Sequence, residues 1–196
     1  MERGQRCVMW LDSQLLRSVI YVSFGSLVTL TRLQALGFWH GLVNSGKPFL
    51  WVIRPDLIVG ESGIDPMDLE MVTKEREFIV SWAPQEEVLA HPAVGGLLTH
   101  SGWNSTIERI NAGEPMIFWP HIADQPVNRR CVSKVWKIGF DMKDTCDRSM
   151  VEKLVRDLMD SNKREEIMKS TVEFARLAND SVQQGGSSYS NLEKLI

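Results

Sequence analysis

The amino-acid sequence predicts an α/β fold, a parallel sheet covered by helices on both faces. Three observations predict it. Short apolar runs such as SVIYVSF, FLWVIR and GGLLT lack polar alternation, as suits strands buried on both sides. Longer segments between them carry helical periodicity together with start and stop signals. The two kinds of segment alternate along the chain, which is how parallel strands are connected.

Residues 1–17 read as a lead-in to a domain spanning 18–186, with a short segment over 187–196 after it. The first strand, 18–24, ends in Gly25-Ser26, and a helix over 31–44 is closed by Gly46. Residues 41–47 have the spacing of a phosphate-binding loop, but Pro48 replaces the hydroxyl residue that would bind magnesium, and the pattern closes a helix instead of opening one. Gly37 inside that helix costs about 1 kcal/mol against Ala. The second strand is 49–54, and 55–77 is a polar, turn-rich surface excursion before a strand over 78–81. Pro84 opens a short helix. The strand 95–99 stops at His100, and Ser101-Gly102-Trp103-Asn104-Ser105-Thr106 suits a tight turn entering a helix that ends at Gly113-Glu114-Pro115. A strand over 115–119, a helix over 124–136 and a short strand over 138–140 follow. Ser149 and Glu152 have the spacing of a capping box, opening a helix whose stripe is Val151, Leu154, Val155, Leu158 and Met159. A last helix runs from about 163 to 183 and stops at Gly185-Gly186.

In this architecture ligands sit beyond the carboxyl ends of the strands, where Ser26, His100 and the 119–125 loop fall. A strand running through a glycine turn into a helix brings free N–H groups and the positive end of the helix dipole to one point, which favours an anion and above all a diphosphate. His100, Asn104 and Ser105 add side-chain donors there, Trp82 offers a flat face on which a base can stack, and Glu108 can accept from ribose hydroxyls. Taken singly, each has a structural reading as well. Trp82 and Trp103 could be packing residues, His100 a satisfied strand-end histidine, and Asp124 the N-cap of the following helix. The combination carries the ligand reading.

Composition narrows the classes. A chain of 196 residues with 43% hydrophobic and 24% charged residues is one large globular domain. A net charge of −3 with scattered Lys and Arg provides no basic stripe for nucleic acid and no patch for a membrane surface. The longest apolar runs are strand-sized, far short of a membrane span. MERGQRCVMWLD lacks the apolar core of a signal peptide, and Cys7, Cys131 and Cys146 offer neither disulfide nor metal spacing, so a cytoplasmic location is expected. The formal sequons at Asn104 and Asn179 are expected to be unused for the same reason.

The segment WAPQEEVLAHPAVGGLLTHSGWNSTIERINAGEPMIFWPHIADQ, residues 82–125, resembles the donor-binding signature of plant family-1 UDP-dependent glycosyltransferases over its whole length. Weaker similarity runs from WLDSQLLRSVIYVSFGSL to GGSSYSNLEKL. The resemblance implies the C-terminal half of a GT-B-type enzyme, in which two Rossmann-like domains face each other across the active site. It implies that Trp82 stacks on uracil, the Ala83 backbone bonds the base edge, and Gln85 and Glu108 hold ribose hydroxyls. His100, Asn104, Ser105 and Ser26 would contact the phosphates, and Trp103, Asp124 and Gln125 the sugar hydroxyls. Gln125 at the last signature position is similar to glucose-using members, so UDP-glucose is the implied co-substrate, with no metal or other cofactor. The implied acceptor is a small flavonoid, terpenoid or phenolic compound, and the implied chemistry is inverting O-glucosyl transfer.

The chain is about half the usual family length, and the resemblance begins where the second domain begins. The general-base histidine, its aspartate partner and most of the acceptor pocket are therefore expected in an N-terminal half supplied by a longer parent or a partner. None of His40, His91, His100 and His121 matches the catalytic position. The alternative is a truncated, non-catalytic protein that binds nucleotide sugar or sibling proteins, with self-association through an uncovered face. Ser101 stands where many members have Cys, Arg109 where a small residue is usual, and Glu114 directly before a buried strand, where an unpaired carboxylate would be costly.

Overall fold

The computed structural model describes residues 3–59, 76–143, 146–160 and 162–195. Its elements begin with α1 (Arg3–Asp12), β1 (Val19–Ser23), β2 (Leu30–Thr31), α2 (Arg32–Ser45), β3 (Phe49–Val52), β4 (Ile58–Val59) and β5 (Glu77–Val80). Then come α3 (Gln85–Ala90), β6 (Val94–Thr99), α4 (Trp103–Ala112), β7 (Met116–Phe118) and α5 (Gln125–Arg130), which continues as a π-helical turn, Cys131–Val135. The chain closes with β8 (Gly139–Asp141), α6 (Arg148–Asp160), α7 (Asn162–Val182) and α8 (Ser187–Glu193). Six strands form one parallel sheet in the order β5-β3-β1-β6-β7-β8, and β2 pairs with β4 in a two-stranded annex. Most of the 55–77 excursion lies outside the described residues.

The central strands β1, β3, β6 and β7 are mainly apolar because both faces are covered, while the edge strands β5 and β8 are partly exposed. Ile20, Val22, Phe49, Trp51, Leu98 and Ile117 point into one core with α2 and α6, while Val19, Tyr21, Leu50, Leu97, Met116 and Phe118 point into the other with α3 and α4. Residues 1–17, expected as a lead-in, contain α1, whose Cys7 and Leu11 are buried in the second core and whose Trp10 stacks on Phe78 at 5.2 Å. Among the described residues no helix is long and apolar enough to cross a membrane.

Local signals explain the helix ends. Thr31 Oγ1 accepts from the Gln34 N–H while Gln34 Oε1 accepts from the Thr31 N–H, a reciprocal capping box. Gly46, at φ 72°, closes α2 with its N–H on the Val43 carbonyl, as read from the sequence. Gly37 and Gly41 lie one turn apart on α2, and a Cβ on them would meet the Cys146 carbonyl and the Cβ of Val151. The glycines are the contact surface against the start of α6. At that start the expected box of Ser149 and Glu152 is not formed. Helix α6 begins earlier, and Asp147 Oδ1 accepts from the Ser149 N–H at 2.8 Å, an ionised carboxylate taking the capping place of a hydroxyl. These Ser149 contacts hold the Asp147 carboxyl below its ordinary pKa.

At the amino ends of the strands, the carboxylate of Glu114 is buried but not alone. Arg17 Nε is 2.7 Å away, Arg164 Nη2 3.5 Å and Arg109 Nη2 4.0 Å. Arg109 is fully buried, donating to the carbonyls of Leu89 at 2.9 Å and Val94 at 3.3 Å. Loss of water pushes the Arg109 pKa down to about 10 and that of Glu114 up, each against the attraction of its partners. The two departures noted in the sequence are thus partners.

Candidate functional site at the switch of strand order

From β1 the chain passes through α2 to β3 on one side, and from β6 through α4 to β7 on the other. The loops leaving the neighbouring strands β1 and β6 therefore open a crevice at the carboxyl end of the sheet. Gly25, at φ 67°, turns the chain after β1 and presents Ser26 exposed, while His100 leaves β6 into a turn through Ser101, at φ 69°, and Gly102. The imidazole of His100 is held between the two glycines. A Cβ on Gly25 would lie 2.5 Å from its Cε1, and one on Gly102 would collide with its Nε2. Nδ1 lies 3.3 Å from Thr99 Oγ1. Burial holds the His100 pKa below the ordinary histidine value and Arg54 acts the same way, against the Ser23 backbone and Asp124. At neutral pH the ring is an uncharged hydrogen-bonding group.

Helix α4 starts beside this ring. Gly102 is its N-cap and makes no side-chain cap, so the first-turn N–H groups have no capping side chain to answer them, the setting in which an anion binds. Asn104 is exposed in that turn and Ser105 half-buried. Trp103 is 47% exposed, and its ring lies 6.4 Å from Trp136, which in turn packs on Phe174 at 4.8 Å.

On the other side of the crevice Trp82 leaves β5 with 54% of its surface exposed, followed by buried Ala83. Gln85 opens α3 and bridges to α4, its Nε2 donating to Glu108 Oε2 at 2.7 Å and to Ser105 Oγ at 3.2 Å. Gln85, Ser105 and Glu108 are thus joined in one hydrogen-bonded group, with the second Glu108 oxygen left over. Asp124 occupies the N-cap position of α5 but makes no cap; its Oδ2 accepts from Asn128 Nδ2 at 2.8 Å. The neighbouring Gln125 is buried, and its Oε1 accepts from the N–H groups of His121 at 2.7 Å and Ile122 at 2.9 Å. Its Nε2 donates no hydrogen bond among the described residues.

Two residues escaped the sequence reading. Asn128 Nδ2 also donates to the Ser101 carbonyl at 3.0 Å, tying the Asp124 helix to the turn beside His100. Its spacing of four from Asp124 was the available signal. Arg54, at the end of FLWVIR, donates to the carbonyls of the Gly25–Val28 loop. That contact crosses between strands, and no local pattern announces it.

Comparison with known proteins identifies the family and the fold. Residues 3–177 match the family described as UDP-glucoronosyl and UDP-glucosyl transferase. The chain is 59% identical over its whole length to a 7-deoxyloganetic acid glucosyltransferase of Catharanthus roseus, of which it covers 41%. It superposes on Os79 from O. sativa, solved in complex with UDP, with a TM-score of 0.86 at 38% identity, over 96% of this chain and 42% of that one. With Os79 solved in complex with U2F and trichothecene the TM-score is 0.88 at 36% identity, over 100% and 44%. The chain thus spans about two fifths of the length of these relatives. The fold implied by the resemblance, one Rossmann-like half of a GT-B-type arrangement, is the fold observed.

Proposed function

The chain belongs to the UDP-glucoronosyl and UDP-glucosyl transferase family, and from that membership we propose that it is a donor-binding domain that holds UDP-glucose for inverting O-glucosyl transfer to a small hydrophobic plant metabolite. The observation that carries the reading is the convergence of Ser26, His100 and the uncapped start of α4 on one crevice, with the bridged group Gln85, Ser105 and Glu108 beside it. Uracil stacks on Trp82 and bonds the Ala83 backbone. Glu108, oriented by Gln85, takes the ribose hydroxyls. The diphosphate is met by the N–H groups of α4, neutral His100, Asn104, Ser105 and Ser26, and no metal is required for that charge. Trp103, Asp124 and the Nε2 of Gln125 hold the sugar. In transfer, these donors stabilise the charge that develops on UDP as the anomeric carbon–oxygen bond breaks, while a base on a facing N-terminal half takes the acceptor proton. A cytosolic location, expected from the odd number and wide spacing of the cysteines, belongs to the same proposal.

Calorimetric titration of the chain with UDP and UDP-glucose tests it. Trp82→Ala and Glu108→Ala are each expected to weaken UDP by about 1–3 kcal/mol through lost stacking or ribose hydrogen bonds. Unchanged affinity in both variants refutes the assigned site.

A further inference from the structure

The loop that presents Ser26 has little holding it in place from within. Among the described residues, neither Ser26 nor Leu27 makes a hydrogen bond through its N–H, and Leu27 is 78% exposed. What holds the loop comes from another strand. Arg54 lies just past the end of β3, the strand next to β1, and its guanidinium spans the loop. Nη1 donates to the Gly25 carbonyl at 3.1 Å and Nη2 to the Val28 carbonyl. These two carbonyls bracket Ser26 and Leu27. Asp56 Oδ1 lies 2.9 Å from Nε as an ion pair, though the Nε–H makes no hydrogen bond, and the arginine side chain is only 18% exposed. Gly25, one end of this clasp, is also the residue that abuts the His100 ring.

We propose that Arg54 is the positioning residue of the diphosphate subsite: its two-pronged guanidinium fixes the Gly25–Val28 loop so that Ser26 and the unpaired loop N–H groups stand against the phosphates and Gly25 stays against His100. The inference rests on the nucleotide-sugar reading of the crevice. A planar fork with fixed donors suits two carbonyls in a way that the single ammonium of lysine does not. The arginine contributes in a second way, since its charge is close enough to act on His100 in favour of the neutral ring. The carboxylate of Asp124 is the charged group that opposes it there. Arg54 therefore shapes one wall of the crevice and adds to the burial that keeps His100 neutral.

The test is calorimetry of the 196-residue chain and its Arg54→Gln and Arg54→Lys variants with UDP and with uridine, alongside hydrogen exchange of the ligand-free proteins. Both variants are expected to lose UDP affinity about tenfold while binding uridine within a factor of about two of wild type, because base and ribose are held elsewhere. Exchange at the Leu30 N–H, which the Leu57 carbonyl holds just after the loop, is expected to quicken in both variants without UDP present. UDP affinity unchanged in Arg54→Gln overturns the proposal, as does equal loss of UDP and uridine, which marks a general structural role. Wild-type affinity in Arg54→Lys overturns it too, since charge rather than the fork would then suffice. If the wild-type chain binds neither UDP nor uridine, the reading of the crevice falls and the inference falls with it.

Discussion

His100 and Gln125 show how single side chains in the crevice are committed before any ligand arrives. Because burial depresses the His100 pKa, the unfolded chain takes up a proton there at a higher pH than the folded one, so stability is full above the unfolded value and declines as pH falls through it. His100→Asn is expected to flatten the fall in melting temperature on acidification below about pH 6.5, and an unchanged slope would show that other groups set it. Gln125 spends its Oε1 on the His121 and Ile122 N–H groups, so replacing it by histidine would disturb the loop as well as the sugar contact. Gln125→Glu separates the two effects, since a carboxylate still accepts from both N–H groups but has no donor. UDP affinity is expected to hold while the preference of UDP-glucose over UDP declines by about 1 kcal/mol, measured by competition titration. A variant that keeps the wild-type preference removes Gln125 from sugar recognition.

Helix pairing accounts for a residue that looked like a flaw. Read locally, Gly37 and Gly41 weaken α2, and alanine would add about 1 kcal/mol of helix propensity at either position. Read in the fold, a Cβ on Gly41 would lie 2.7 Å from the Arg148 carbonyl and collide with Val151. Gly41→Ala is therefore expected to destabilise the protein by about 1–3 kcal/mol in denaturant unfolding, and a stabilised variant would show that α2 and α6 are more loosely joined. The same contrast marks what was legible in the sequence. The six strands of the main sheet are legible because a short apolar run is a local property, and the turns at Gly25-Ser26 and His100 to Gly102 because each is a glycine-bearing strand end. Helix α1 is not, since Cys7, Trp10 and Leu11 form a single stripe behind no capping signal. The two-residue strands β2 and β4 are too short to show periodicity, and α8 buries nothing. Within the site, residue types were readable and through-space ties were not. Asn128 to Ser101 and Arg54 to Gly25 link positions 27 and 29 residues apart.

As a whole, the molecule has two ends with different duties. The carboxyl end of the sheet carries the crevice and a scatter of exposed apolar side chains, among them Leu27, Ile122 and Val127. The amino end carries the Glu114 cluster, and α1 runs along the second core from Trp82 and Pro84 to His91. On the proposal that the acceptor base belongs to a facing N-terminal half, glucoside formation by the purified chain is expected to be slower than that of a complete enzyme by at least about the 10²–10⁴-fold that general-base catalysis commonly supplies. Turnover by the chain alone, abolished at His100, would place the base within these residues. The foot of the sheet also decides where such a domain can be recombined with the half of a relative. A crossover at residue 18, ahead of β1, would pair this sheet with a foreign lead-in, exchanging Arg17 beside Glu114 and the Cys7, Trp10 and Leu11 surface that seals the second core. A crossover ahead of α1 transplants the sheet with its own seal. Chimaeras joined at the earlier point are expected to melt higher in thermal unfolding than those joined at 18, because α1 and the sheet it seals then travel together.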